Sequence, residues 1–455
     1  MNPEEPMTAI RPARTSWYFV VLVSIFANFV FLALSFFSTA VSRDDLTERI
    51  ARGFESGSLP VETDLRFETW MLGNECLILQ MILNDEDDRL RQALGPKVYY
   101  RDDDSRQCYL VRDLIRDGYA KEAPNFFRYT RYWHGHNATA AALLSTMDFT
   151  GLRFMLPLMA YGSIGALALA GLFAAGRLRI VGLSLAISGA SFWALQYFAH
   201  SLGHGPADTI FVLGFALLFF RFGSGRRVNG YAGSCAAFGA VITYMEFFTG
   251  QLPTAAALLL PFGYFLGAQS DPAPALRQKW ERALSGLLAF TLAAALTIAI
   301  KQLLAYLYFG TDALTAFTDN LYIYTQNLDQ IGFVDQDNRL KSIIFAAGGV
   351  VWKWGKVLTY GSDAAAAALF FATSLAWLGG AFMAWRSKSM AVRSEFLVCA
   401  MGAGVIIAWI TLFPYHTLGH GWFMIRMFLA PIALGWAVLI IGWQGHPNTA
   451  HESAH

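Results

Sequence analysis

Ten apolar stretches alternate with polar breaks along the chain, near residues 17–38, 154–175, 179–199, 208–222, 230–250, 252–269, 283–308, 364–385, 395–414 and 421–443. A helix crossing hydrocarbon needs about 20 such residues, so the pattern predicts an all-α polytopic membrane protein with about ten transmembrane helices; 208–222 is short for one. Two breaks, 39–149 and 309–363, are too long to be connectors, and loops of that length carry structure or a task. In the first, residues 43–56 have helical spacing. Residues 65–83 form an apolar run holding Glu68 and Glu75, expected to lie along the membrane surface with its apolar face down. Residues 84–106 are acidic and polar and are expected to be exposed. In the second break, residues 343–360 combine Trp352, Trp354 and Tyr360 with Lys353 and Lys356, which suits a helix at headgroup level.

Charge adds orientation. Arg11 and Arg14, Arg177 and Arg179, Arg221 with Arg226 and Arg227, Arg277 with Lys279 and Arg282, and Arg386 with Lys388 and Arg393 fall in alternate breaks. With ten crossings they share one face, and the positive-inside rule makes it cytoplasmic. Both termini, including the tail 444–455, then lie inside, and 39–149 and 309–363 lie outside, periplasmic in a bacterial inner membrane. Only 15% of the 455 residues are charged and 55% are hydrophobic, against about 25% charged in soluble domains. A net charge of +1 gives no nucleic-acid signal. The first stretch has the basic flank of a secretory signal, but at 22 residues it is longer than a signal's apolar core, and we expect it to be retained. Cys76 and Cys108 share the first outer segment, where an oxidising compartment permits pairing; Cys235 and Cys399 lie in spans.

The chemistry-bearing residues gather on the outer side. Asp64, Glu68 and Glu75 are spaced to share a helix face, and a carboxylate at an apolar interface becomes a better base near neutrality; a solvated side, or a pairing with Arg66, is the plainer reading. In RYWHGHN (131–137), Arg131 and His134 would meet on a helical turn and hold an anion, while Tyr132 and Trp133 suit sugar stacking or interface anchoring. Glu246 sits among aromatics at the outer end of a span, where an ionisable group is by default a site candidate; otherwise it is a structural partner for an arginine. His416 and His420 are four apart and Arg426 follows. Two such histidines can bind zinc, but the glutamate of HExxH is missing, and a phosphate or sugar contact is favoured. His200, His204 and Asp208 form a further outer group. Asn137 begins an Asn-Ala-Thr sequon. Walker, dinucleotide-binding and GxSxG sequences are absent, and no inner loop is long enough for a nucleotide-sugar domain.

A first span, a long outer loop with acids near an amphipathic helix, and many further spans resemble the GT-C membrane glycosyltransferases. A closer resemblance is to a bacterial group of GT-C-like integral membrane proteins. It is carried in order by Asp64 and Glu68 in DLRFETWML, by Arg131 to Gly135 in RYWHG, by Tyr244, Glu246 and Thr249, and by His416, His420 and Arg426. The resemblance implies a polyprenyl-phosphate-linked sugar donor and transfer on the outer face to a glycan, lipid or protein acceptor. It implies a carboxylate base near the first span, which Asp64 or Glu68 would supply; Asp44 and Asp45 directly after the first span are rivals. Arg131, His134, His420, Arg426, Lys353 and Lys356 would then contact donor phosphate. Glu246, Tyr132, Trp133 and His416 would contact substrate. A single displacement inverts the anomeric centre. The resemblance names no certain cofactor and leaves a divalent metal open. A transporter or flippase predicts charge at mid-membrane depth, and the spans look nearly free of it apart from Glu246 and Arg426. A membrane acyltransferase would take its donor from the cytoplasm, where no loop between spans offers a histidine to receive it. A non-catalytic assembly subunit is compatible with the same pattern.

Overall fold

The computed structural model describes residues 17–62, 66–83, 86–100, 107–117, 125–193, 195–224, 228–245, 250–266, 275–326, 348, 351–352, 355–357, 359, 361–419 and 424–444. In chain order the elements are α1 (Trp17–Ser38), α2 (Arg43–Glu55), α3 (Arg66–Ile82), α4 (Arg89–Leu94), β1 (Lys97–Tyr100), α5 (Gln107–Asp117), β2 (Asn125–Arg128), α6 (Gly135–Thr146), α7 (Phe149–Phe173), α8 (Arg177–Phe192), α9 (Leu195–Phe198) and α10 (Gly205–Phe222). They continue with α11 (Tyr231–Met245), α12 (Gln251–Phe265), α13 (Leu276–Phe309), α14 (Thr311–Gln326), α15 (Asp363–Arg386), α16 (Met390–Leu412) and α17 (Pro414–Gly419). A 3-10 turn, Ile425–Phe428, leads into α18 (Leu429–Gln444).

Among the described residues seven helices are long and apolar enough to cross a membrane: α1, α7, α10, α13, α15, α16 and the run Ile425–Gln444. The protein is therefore an α-helical multi-pass membrane protein. The other three expected stretches coincide with the shorter helices α8, α11 and α12, of 16, 15 and 15 residues. Outward faces of the long helices carry large apolar side chains, among them Phe26 and Phe29 on α1, Leu217 on α10 and Phe371 and Leu378 on α15. Only lipid tolerates such surfaces on this scale. Helix starts are set by short polar side chains: Asp148 accepts from Gly151 N at 2.8 Å and Ser362 from Ala365 N at 3.2 Å, each meeting a backbone donor the helix leaves open.

At one end of the bundle Arg177 reaches Glu395 at 3.5 Å and Gln444 at 2.9 Å, and Arg282 donates to Leu266 O at 2.8 Å. Three of the basic breaks thus meet there, around the starts of α8, α13 and α16. Helix α13 has 34 residues, about 51 Å at 1.5 Å per residue. It runs from this end to the other and emerges among the elements of segment 39–149. Its closest neighbour is α11: a Cβ on Gly239 would stand 2.4 Å from Phe290 O. Gly239→Ala is expected to cost about 1–3 kcal/mol by overpacking, read as a lower thermal midpoint in detergent; an unchanged midpoint would show that the helices part freely.

Segment 39–149 forms its own unit at the far end. Helix α2 appears as its spacing predicts. Helix α3 also forms, but it does not lie with an apolar face on the membrane. Leu72, Cys76, Ile78, Leu79 and Met81 are buried against Ile50, Leu144, Phe149 and Leu152, because α2, α6 and the start of α7 supply enough apolar surface to cover it. Cys76 and Cys108 are bonded, with Cα atoms 5.1 Å apart, joining α3 to α5. The stretch expected to be exposed and polar holds α4 and β1 and buries Leu94, Val98 and Tyr99. β1 pairs antiparallel with β2, Val98 opposite Phe127. Glu86 ties this ribbon down through Arg128 at 2.8 Å and Lys97 at 3.5 Å. Burial alone would raise its carboxyl, but the two cations hold it below its usual value. Of segment 343–360 only a few residues are described, and the tail 445–455 lies outside them.

Candidate functional site

Strand β2 delivers the chain into Tyr129–His134, which is not helical; α6 begins at Gly135. The helical turn expected to unite Arg131 and His134 is therefore absent. The segment is held instead by tertiary bonds: Tyr129 N donates to Pro96 O at 2.9 Å, and Gln302 Nε2 to Arg131 O at 2.5 Å. Gly135 packs against the Tyr244 ring, where a Cβ would come within 2.7 Å, so only glycine allows this approach.

Each side chain of RYWH has a separate fate. Arg131 donates to Asn320 of α14 and stands 5.1 Å over the Tyr129 ring. Trp133 is buried, not presented for sugar stacking: its Nε1 donates to Asn28 Oδ1 at 3.1 Å and Thr297 O at 3.3 Å, joining α1 to α13. Tyr132 is half-buried, edge-on to Tyr129, and lines a small cavity with Arg131, Thr243 and Lys301. His134 is 3% exposed, and its Nε2 donates to Tyr129 O at 2.8 Å. Burial first, then the nearby Lys301, His136 and Arg131, push its imidazole well below its usual value. His134 is therefore a neutral ring at pH 7, not a cation for phosphate.

The residue that sequence reasoning missed is Lys301. It lies in the last third of α13, 1% exposed, donating to Leu94 O at the end of α4 and standing 5.2 Å over the Trp133 ring. Among the described residues no carboxylate pairs with Lys301 or Arg131. The signal was present: a Lys-Gln pair interrupts the apolar run of α13, and an ionisable group inside a span is by default a functional candidate. The expectation of spans nearly free of charge is corrected accordingly, since Lys301 and the buried Asp208 both lie within apolar helices.

Arg426 has a different role from the expected phosphate contact. It is fully buried and paired with Asp208, also fully buried, at 3.2 Å, with its guanidinium 4.2 Å over the Phe198 ring. Asp208 further accepts from Gln251 Nε2 at 2.8 Å and Trp193 Nε1 at 3.2 Å. The run HSLGHGPAD thus supplies the counter-charge that holds α10, α12 and the start of the last helix together. Glu75 is likewise structural: it grips Arg153 through both oxygens, at 2.8 and 2.7 Å, and accepts from Leu202 N at 3.0 Å. That removes it from the acidic face expected for Asp64, Glu68 and Glu75. Lys356 pairs with Asp363 at 3.0 Å, both exposed. His416 is buried on α17, which packs against α14. Asn137 is 8% exposed, so its sequon is not offered to solvent.

Asp64, Glu246, Lys353 and His420 lie outside the described residues, and Glu68 lies in α3 with its side chain outside them. The segment containing Glu246 is flanked by contacts to both clusters. His136 Nδ1 meets Met245 O at 3.4 Å, and Gln251 binds Asp208. Helix α14 joins them a second way, through Asn320 to Arg131 and by packing on α17. Among the described residues no group of three His, Cys, Asp or Glu is placed to hold a metal. No family model matches the chain, and no curated protein and no solved structure matches it.

Proposed function

We propose that the chain is a membrane glycosyltransferase that takes a sugar from a polyprenyl-phosphate donor and passes it, with inversion, to a hydroxyl of a cell-envelope acceptor. Transfer takes place on the outer face of a bacterial inner membrane. One observation carries this reading: Arg131 and Lys301 meet at the bundle end opposite Arg177 and Arg282, with no described carboxylate to neutralise them. Fixed cations in a dry site stabilise charge as it gathers on a leaving phosphate, and guanidinium forks onto phosphate oxygens. Ten crossings would put these cations outside, with α8, α11 and α12 as the shorter three. The Cys76–Cys108 bond agrees with an oxidising exterior. A divalent metal and the acceptor's identity stay open in this reading.

A lipid-linked saccharide flippase is the second reading, and the charges in apolar helices, Lys301 and the Asp208–Arg426 pair, favour it. Arg131→Ala in cells separates the two when combined with product analysis. We expect loss of a surface glycan at normal protein level, and purified protein that forms a new glycosidic bond of inverted configuration from donor. Unchanged glycan overturns both readings. Lost glycan without bond formation by the purified wild type favours the flippase, and a retained configuration removes the single displacement.

A further inference from the structure

We propose that the polar cleft beside the outer end of α1 receives the acceptor hydroxyl, and that His134 Nδ1 is the atom that takes its proton. This rests on the glycosyl-transfer reading. The cleft is narrow, with room for about one water-sized group, and is lined by Ser35, Ser38, Gln92, His134 and Asn137, with Ile82 as an apolar wall.

Two buried acceptor atoms face no donor there. The bond from His134 Nε2 to Tyr129 O fixes the ring proton on Nε2, so Nδ1 keeps its lone pair. Nδ1 is buried without a hydrogen-bond partner, and so is Asn137 Oδ1. A buried acceptor left unmet is costly. The group that meets such an atom is the O–H of an uncharged alcohol. A phosphate monoester dianion, with acceptors only, does not fit. The outer end thus divides its labour, with the donors of Arg131 and Lys301 for the leaving group and lone pairs at His134 and Asn137 for the nucleophile.

In the step, the acceptor oxygen bonds to C1 of the sugar while the bond from C1 to the phosphate oxygen breaks. That electron pair leaves on the polyprenyl phosphate, and the hydroxyl proton passes to His134 Nδ1. Burial, Lys301, His136 and Arg131 keep the imidazole uncharged before the donor arrives. Bound phosphate offsets those cations, so the ring gains proton affinity once the donor is seated. The assignment puts the proton on the imidazole in place of Asp64 or Glu68. Glu68 stands 14 positions before Ile82 on α3, about 21 Å along the helix.

The test uses full-length protein, in cells for surface glycan and in lipid nanodiscs for binding of decaprenyl monophosphate. His134→Asn keeps an acceptor oxygen near the Nδ1 position but takes no proton at pH 7. It is expected to lower glycan transfer at least about 100-fold, the lower end for a general base, with normal protein level and phosphate binding within about twofold of wild type. Ser38→Trp, which fills the cleft, is expected to do the same. Retained transfer in either variant overturns the proposal, as does loss of phosphate binding together with transfer in His134→Asn, which would make the residue structural. If deleting the chain leaves every surface glycan unchanged, it is the glycosyl-transfer reading that fails.

Discussion

Replacing Asp208 by alanine is expected to destabilise the protein by about 3–5 kcal/mol, the range for breaking a buried ion pair by removing one partner. Arg426 has no exposure to solvent, and Asp208 supplies its counter-charge. The same carboxylate also accepts from Trp193 and Gln251, so its loss strips bonds from three elements at once. The thermal midpoint of the detergent-solubilised variant should fall by well over the error of the measurement. Removing both charges, as Asp208→Asn with Arg426→Met, should recover much of the loss, because replacing a buried ion pair by neutral groups of similar volume is often close to neutral. An alanine variant that melts with wild type would show that the pair contributes nothing.

Lys301→Met is expected to have the opposite combination of effects. The variant should be at least as stable as wild type, since a desolvated ammonium with one backbone carbonyl and one ring for company is a poor exchange for water. Its affinity for decaprenyl monophosphate should nevertheless fall about 10–100-fold, the equivalent of a hydrogen bond to a charged group at roughly 1.5–3 kcal/mol. Measuring both quantities on one preparation separates a residue kept for binding from one kept for folding. Wild-type affinity in the methionine variant would remove Lys301 from the anion site and weaken the reading built on it.

Much of the architecture was legible because a membrane leaves few choices. Every apolar stretch coincides with a helix, since backbone polar groups in lipid must be satisfied within the segment. The basic breaks around α8, α13 and α16 meet at one end as their alternation required. Helix α2 and the Cys76–Cys108 bond were within reach of local spacing and compartment chemistry. The ribbon β1–β2 was not: two four-residue strands separated by α5 leave no periodicity to detect. The burial of α3 was hidden for a related reason, because an apolar run does not say whether lipid or protein covers it. The candidate site was half legible. RYWHG marked a place where several elements meet, but Trp133 proved to be packing and His134 neutral, since what surrounds them comes from α1, α4 and α13. Asp208 and Arg426 stand on helices far apart in the chain, and nothing local announces such a pairing. Lys301 was readable in principle, as a lone charge within an otherwise greasy run.

Helix α13 reaches about 51 Å, well past the roughly 30 Å of a hydrocarbon core, and Lys301 lies in its last third. The rod therefore acts as a depth gauge. A thicker bilayer would draw its exposed end toward the lipid or tilt it, shifting the ammonium relative to the ribbon and α4 that enclose it. The position of Lys301 beneath α4 is thus expected to follow the acyl-chain length of the surrounding membrane.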